Sequence, residues 1–282
     1  MLSYRHAFHA GNFADVFKHV LLVQLIRALH RKGKPFCVLD THAGAGRYNL
    51  HSPPAQKNRE FAGGIGQLWT EAGRLSPELA DYVAQVRAFN PDGPLRVYPG
   101  SPRIARALLR PGDRLMLTEL HPNEHAALKA EFANDRQVAV HHTDGYAALK
   151  ALLPPPERRG LVLLDPAYEL KDEFDRLLTA VQTLHRRWAT GVIAVWYPIL
   201  DRAPSLRWQQ SLQKLAIPAM LCAELGLYPY DAPLGLHGTG MILINPPWKL
   251  DETLGRLLPE LRQCLRVGDY GQTRLEWLTP AP

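Results

Sequence analysis

Pro35-Phe36-Cys37-Val38-Leu39-Asp40-Thr41-His42-Ala43-Gly44-Ala45-Gly46 decides how the rest of the chain is read. A short apolar run ends on an acid, and a glycine turn follows at once. That is the pattern of a buried parallel strand whose carboxyl end opens a ligand site. The turn reads Asp-x-x-x-Gly-x-Gly from Asp40 to Gly46, not the Gly-x-Gly-x-x-Gly that lets a backbone approach a pyrophosphate. A carboxylate ahead of the glycines repels phosphate and suits a ligand with a cationic or hydroxyl-bearing face.

Upstream, Asn12 stands as an N-cap, and Phe13, Val16, Phe17, Val20, Val23 and Ile26 follow at helical spacing to about Arg31 before Gly33 breaks the run. Downstream, residues 49–98 change character and carry two helical stretches, near 61–72 and from Ser76-Pro77-Glu78, between proline and glycine clusters. Strands and helices then alternate. Strands are expected at 114–119, 137–141, 161–164, 191–197, 220–225 and 241–245, and helices at 101–110, 122–134, 171–188, 206–215 and 254–265. Such alternation predicts an α/β, doubly wound parallel sheet covered on both faces. The chain reads as one domain over 1–282, with a helical insertion at 49–98.

The composition excludes several classes. The chain has 282 residues, 46% of them hydrophobic and 21% charged, enough for a full globular core. No apolar run approaches the roughly 18–20 residues of a membrane span, and Met1–His6 turns polar too early for a secretory core. Three cysteines without a Cys-x-x-Cys pair argue against a disulfide framework or zinc knuckle, and for a cytoplasmic setting. The net charge of +6 hints at a polyanionic partner.

Four expected strand ends close on acids: Asp40, Glu119, Asp144 and Asp165. In this order they suit S-adenosylmethionine. The first acid and its glycine turn would face the amino-acid portion, Glu119 the ribose hydroxyls, and Asp144 the adenine amine. Glu119 follows Asp40 by 79 positions, against about 20 in simple nucleotide-binding sheets, and the insertion accounts for the excess. Asp165-Pro166-Ala167-Tyr168 is a variant of the Asp/Asn/Ser-Pro-Pro-aromatic tetrapeptide of amino methyltransferases. An exocyclic amine is a poor nucleophile, so a carboxylate and a proline carbonyl that accept its hydrogens help it react. Proline presents an acceptor and no donor. Tyr168 would stack on the target base. Asn245-Pro246-Pro247-Trp248 matches the tetrapeptide better by letter, but it follows a strand expected to run antiparallel, so it reads as a structural turn away from the cofactor.

Tyr4-Arg5-His6-Ala7-Phe8-His9-Ala10-Gly11-Asn12, Asp15, Lys18-His19 and Leu39 through Tyr48 resemble the bacterial 23S ribosomal RNA adenine-2030 N6-methyltransferases, the RlmJ family. The likeness continues at Tyr98–Pro102, Leu117–Pro122, Trp196–Pro198 and Asn245–Leu250. It implies a class I S-adenosyl-L-methionine-dependent enzyme that methylates one adenine of 23S rRNA. No membrane or metal partner is expected, and the oligomeric state is left open with a monomer favoured. The resemblance also implies that His19, His42, Ser101, Glu119, Asp144, Gly145 and Asp165 line the cofactor site, with Asp165 catalytic. Tyr4, His6 and Lys18, in an N-terminal motif within 1–31, would cover the cofactor and meet the target adenosine alongside Pro166 and Tyr168. Ala167 departs from the family's second proline and predicts a looser turn.

Other readings compete at single residues. From spacing alone His19 is a core histidine. His121 and His125 stand four apart but lack the His-Glu-x-x-His order and a third ligand, so no metal is expected. The arginines at 103, 106, 110 and 114, and the pairs 158–159 and 186–187, are either solvated faces or phosphate contacts. Rival functions are a DNA adenine or protein glutamine methyltransferase, a nicotinamide oxidoreductase, and a non-catalytic RNA-binding assembly protein.

Overall fold

The computed structural model describes residues 5–71, 73–232 and 235–281. Its strands are β1 (Cys37–Asp40), β2 (Arg47–Asn49), β3 (Val97–Pro99), β4 (Arg114–Glu119), β5 (Val138–His142), β6 (Gly160–Leu164), β7 (Val192–Ile199), β8 (Met220–Gly226), β9 (Gly238–Ile244) and β10 (Gln272–Thr279). Its helices are α1 (Phe13–His30), α2 (Pro53–Asn58), α3 (Ile65–Glu71), α4 (Pro77–Arg87), α5 (Ser101–Leu108), α6 (Pro122–Glu131), α7 (Gly145–Leu152), α8 (Glu173–Arg187), α9 (Arg202–Gln213) and α10 (Leu250–Leu265).

Eight strands form one sheet in the order β5-β4-β1-β6-β7-β9-β8-β10. The first five are parallel, and β9 enters antiparallel between β7 and β8. This is the doubly wound, largely parallel sheet that the alternation predicts, with β10 added antiparallel along β8. Side chains of β1 alternate between two layers. Val38 packs with α1, whereas Cys37 and Leu39 pack with residues of α7, α8 and α9.

Helix α1 is buried nearly all round, with only Arg27 and His30 outside the buried set. The sheet lies on one side of it, and α4, α5 and α10 also pack against it. Its polar residues Asp15, Lys18 and His19 are therefore buried and find partners within the protein.

Strands β2 and β3 pair as a separate ribbon with Tyr48 opposite Tyr98, so the segment between them leaves and rejoins the sheet layer at one place. Ser76 caps α4, accepting from Leu79 N at 3.4 Å. Near 61–72 the chain forms a 3₁₀ turn over Glu60–Gly63 and then α3, and Ala72 lies outside the described residues. Gly64 lets this segment seat on the N-terminal residues. A Cβ there would stand 2.1 Å from the Gly11 carbonyl, which accepts from Ile65 N at 2.9 Å.

Candidate active site

The carboxyl ends of β1, β4 and β6 open into a cavity of about 840 Å³, also lined by α1 and the N-terminal residues, within the roughly 300–1,000 Å³ usual for small-molecule sites. Of the expected site residues, His6, Lys18, His19, His42, Ser101, Glu119, Asp144, Gly145, Asp165, Pro166 and Tyr168 all line it. Tyr4 lies outside the described residues.

Asp165 ends β6 and takes a short ion pair from Lys18 Nζ at its Oδ2. The same ammonium lies 3.2 Å from Asp15 Oδ1 and 4.9 Å from the centre of the Trp196 ring. Asp15 Oδ2 in turn meets His6 Nε2 at 2.9 Å and accepts from Gly11 N at 2.9 Å. Burial works against each charge, and the partners answer it. Lys18 ends above its ordinary value because two carboxylates outweigh its desolvation. Asp15 is pushed up by burial, but His6 and Lys18 hold it well below the usual carboxylate range. For Asp165 burial wins over Lys18, and its carboxyl is raised.

Asp40 corrects the expectation drawn from the glycine turn. It is 1% exposed and does not line the cavity; Ser101, which donates to its Oδ2 at 2.6 Å, stands between. Burial pushes Asp40 up to about 6 despite that hydrogen bond. Glu119 is bound to the glycine turn. Its two oxygens accept from Gly44 N at 2.8 Å and His121 N at 2.7 Å, which fixes the carboxylate while leaving lone pairs to accept further hydrogens. Asp144 caps α7 through Tyr146 N and Ala147 N, and its other oxygen accepts from Arg176 at 3.1 Å.

Both histidines of the expected cofactor set are neutral. Burial lowers His19 to about 3 and His42 to about 4. His19 satisfies the core reading through Tyr98 Oη at 2.7 Å, yet it also borders the cavity. Thr41 donates its one hydroxyl hydrogen to Leu163 O at 2.9 Å, so His42 Nδ1, 2.8 Å from that hydroxyl, must be the donor. His42 Nε2 is left as an acceptor. Gly145 allows this packing, since a Cβ would fall 2.3 Å from the Thr41 carbonyl.

Tyr168 sits at φ +54° and donates to Trp196 O at 2.7 Å, with its ring edge-on to Trp196 and Phe174. Leu120, Leu170 and Leu200 line the cavity and are 45–51% exposed. Sequence reading gives these leucines, Trp196 and Asp15 no site role, although Asp15 and Trp196 stand in the motifs that carry the resemblance. An acid and a base three residues apart in an otherwise apolar helix is a further signal for Asp15; the leucines carry none.

Asn245 lies beyond the other end of the sheet. Ile244 pairs with Ile193 at the start of β7, and Asn245 Nδ2 donates to Ala189 O and Gly191 O at 2.5 and 3.0 Å. The turn is structural there, as the antiparallel strand predicted. The arginines at 103, 106, 110 and 114 pair with Glu131, Asp135, Asp113 and Glu157, so they are not free phosphate contacts.

Residues 33–279 match the family model described as ribosomal RNA large subunit methyltransferase D, RlmJ. The chain belongs to this family. Two RlmJ relatives, each named ribosomal RNA large subunit methyltransferase J, come from Escherichia coli K12 and Haemophilus influenzae Rd. They are 45% and 44% identical over 280 and 281 residues, covering 99% of this chain and 100% of each relative. A crystal structure of a Legionella pneumophila protein is 36% identical, with a TM-score of 0.88 over 95% of this chain and 98% of that one.

Proposed function

We propose that this RlmJ-family chain transfers a methyl group from S-adenosyl-L-methionine to N6 of a single adenine in 23S rRNA, of the position-2030 type. The observation that carries the reading is Asp165-Pro166 at the end of β6, on the cavity wall, with the carboxylate clamped by Lys18. The names of the E. coli and H. influenzae relatives support an rRNA substrate.

The cavity fits the cofactor by its charge. Among the described residues eight carboxylates line it against two cations, Lys18 and Arg176, and the buried histidines 19 and 42 are neutral. A cationic ligand is favoured there and a pyrophosphate is not. Glu119 would hold the ribose, His42 Nε2 would accept a ligand hydrogen, and His19, Ser101, Asp144, Gly145 and Asp165 would complete the wall. The bound cofactor supplies an electrophilic methyl group on a sulfonium.

The residues of the chain then act on the target amine. Lys18 occupies Asp165 Oδ2 and leaves Oδ1 to accept one N6 hydrogen, while the Pro166 carbonyl accepts the other. Together they pull the nitrogen toward tetrahedral geometry and offset its developing positive charge. Alignment supplies most of the acceleration, and Asp165 need not be a strong base because the methylated amine loses its proton readily. The adenine must leave its stack, at a cost of a few kcal/mol. Leu120, Leu170, Leu200 and Tyr168 offer it an apolar entrance. His6 joins this wall through Asp15, and Tyr4 belongs to the same N-terminal motif. Residues 49–98 act as a helical insertion within a single domain and brace that motif, since Glu60 bonds His9 at 2.9 Å and Asn12 at 3.0 Å. The scheme uses no metal, and the enzyme works as a cytoplasmic monomer.

The test is methyl transfer from labelled S-adenosylmethionine to unmodified 23S rRNA, followed by digestion to nucleosides. Label in N6-methyladenosine, lost in Asp165→Ala while calorimetry still shows cofactor binding, is the expected result. Label in DNA or protein but not in rRNA would overturn it.

A further inference from the structure

The tetrapeptide left unused by methyl transfer, Asn245-Pro246-Pro247-Trp248, ends in a side chain with no structural duty. Asn245 locks the turn, as described above, and Arg31 Nη1 donates to the Trp248 carbonyl at 2.8 Å. The indole itself is 77% exposed, the most of any large apolar side chain among the described residues. A fixed backbone presents a bare ring. Lys249 Nζ stands 4.8 Å from that ring's centre and pairs with Glu252 Oε1 at 3.5 Å, so the unpaired cations beside the ring are others.

Exposed cations follow in the chain from the arginine that touches this turn. Arg31 gives its hydrogen bond to a carbonyl rather than a carboxylate, and the adjoining Lys32 and Lys34 are exposed. No ion pair among the described residues involves these three, in contrast to the four paired arginines on α5, the loop after it and the start of β4. Their loop is also pinned. Arg110 donates to the carbonyls of Lys32 and Lys34 at 3.3 and 3.2 Å, and Arg159 donates to that of Lys34 at 2.8 Å.

A rigid exposed aromatic beside unpaired, pre-positioned cations is the composition of a single-stranded nucleic-acid platform. The ring takes a base face and the cations take the flanking phosphates. An apolar protein partner would leave those cations desolvated and unpaired. We propose that Trp248, Lys249 and the Arg31–Lys34 loop form a second rRNA contact, on which an unpaired nucleotide stacks against Trp248. The proposal rests on RNA being the substrate. It places the contact far from the chemistry, since Lys18 and Arg31 are thirteen residues apart on and just past α1, about 20 Å.

The experiment compares a minimal stem-loop carrying the target adenine with a long fragment of the same rRNA, using the full chain. Trp248→Ala should weaken binding of the long fragment by about 5- to 100-fold, and Trp248→Phe should restore most of it. Turnover on the stem-loop and cofactor affinity should not change. Replacing Arg31, Lys32 and Lys34 together with alanine should flatten the dependence of log K on log salt by about 2, a readout that a purely structural role would not move. Wild-type affinity and salt slope in all three variants, with the long fragment still methylated, would overturn this contact and leave methyl transfer standing. Weakening seen only on protein-bearing particles would assign the surface to a protein and overturn the proposal. A wild-type protein that neither binds nor methylates RNA would remove both readings.

Discussion

Replacing Lys18 with methionine removes the one ammonium that stands between buried Asp15 and partly buried Asp165. Lys18 is 4% exposed and Asp15 is 2% exposed, both at the inner wall of the cavity. Breaking a buried pair by removing one partner costs about 3–5 kcal/mol, because a charge is left without compensation. The sign of the pH dependence follows from the shifts. In the wild type Asp15 is held below its ordinary value. Its contribution is therefore complete above its unfolded pKa near 3.8 and is lost only as pH falls through its lower folded value. In Lys18→Met the burial that already raises Asp165 acts with little opposition, so a carboxyl in the variant takes up a proton well above pH 4. Each pH unit over which the folded variant holds one extra proton returns about 1.4 kcal/mol. Urea unfolding at pH 7.5 should show the full loss, and at pH 5 the gap to wild type should narrow by about 1–3 kcal/mol. The double variant Lys18→Met, Asp165→Asn should recover part of the loss at pH 7.5. A deficit under about 1 kcal/mol, or one equal at both pH values, would refute the buried network as described.

Two further outcomes are expected. Gly145→Ala forces a Cβ to within 2.3 Å of the Thr41 carbonyl, so it should cost at least about 1–3 kcal/mol and weaken cofactor affinity, read by thermal melting and calorimetric titration; unchanged affinity would mean this turn does not shape the ligand wall. Asn245→Ala puts alanine at φ +51° and removes two hydrogen bonds, so stability should fall by about 1–3 kcal/mol while methyl transfer stays within twofold of wild type. A collapse of turnover in a folded Asn245→Ala protein that still binds cofactor would place the turn in the chemistry.

The parallel core was legible because buried strands and amphipathic helices write their periods into the sequence. β4 spans the residues expected of it, Arg114–Glu119, and Asn12 caps α1 from Asp15 N at 2.9 Å. What stayed hidden depends on distant partners. β2 and β3 are three residues each, and their pairing joins Tyr48 to Tyr98 across fifty positions. Pro53 and Pro54 read as a boundary yet open α2, because proline suits the first turn of a helix as well as it stops one. β10 is an edge strand whose polar residues resemble a tail. At the site, the residue types at the strand ends pointed to the cavity, but direction did not follow from type. Asp40 is turned behind Ser101, and only the packing of α5 against β1 decides that.

The charge of the molecule is divided in a way that composition alone conceals. The chain carries +6 overall, yet the described cavity wall has a formal excess of six negative charges, eight carboxylates against two cations. The remaining surface is correspondingly more basic than the total suggests. A polyanion is drawn to that surface while its phosphates are refused by the cavity, so an uncharged base is the part of a nucleic acid that can enter. A cationic ligand meets the opposite preference. Lys18 is the necessary exception. Without its ammonium, the carboxylate at the end of β6 would sit among like charges and take up a proton, and Asp165 would offer an amine a weaker, neutral acceptor in place of a carboxylate oxygen. Helix α1 therefore serves both ends of the molecule. It carries Lys18 into the acidic cavity and, past its last turn, sets Arg31 against the exposed Trp248 turn.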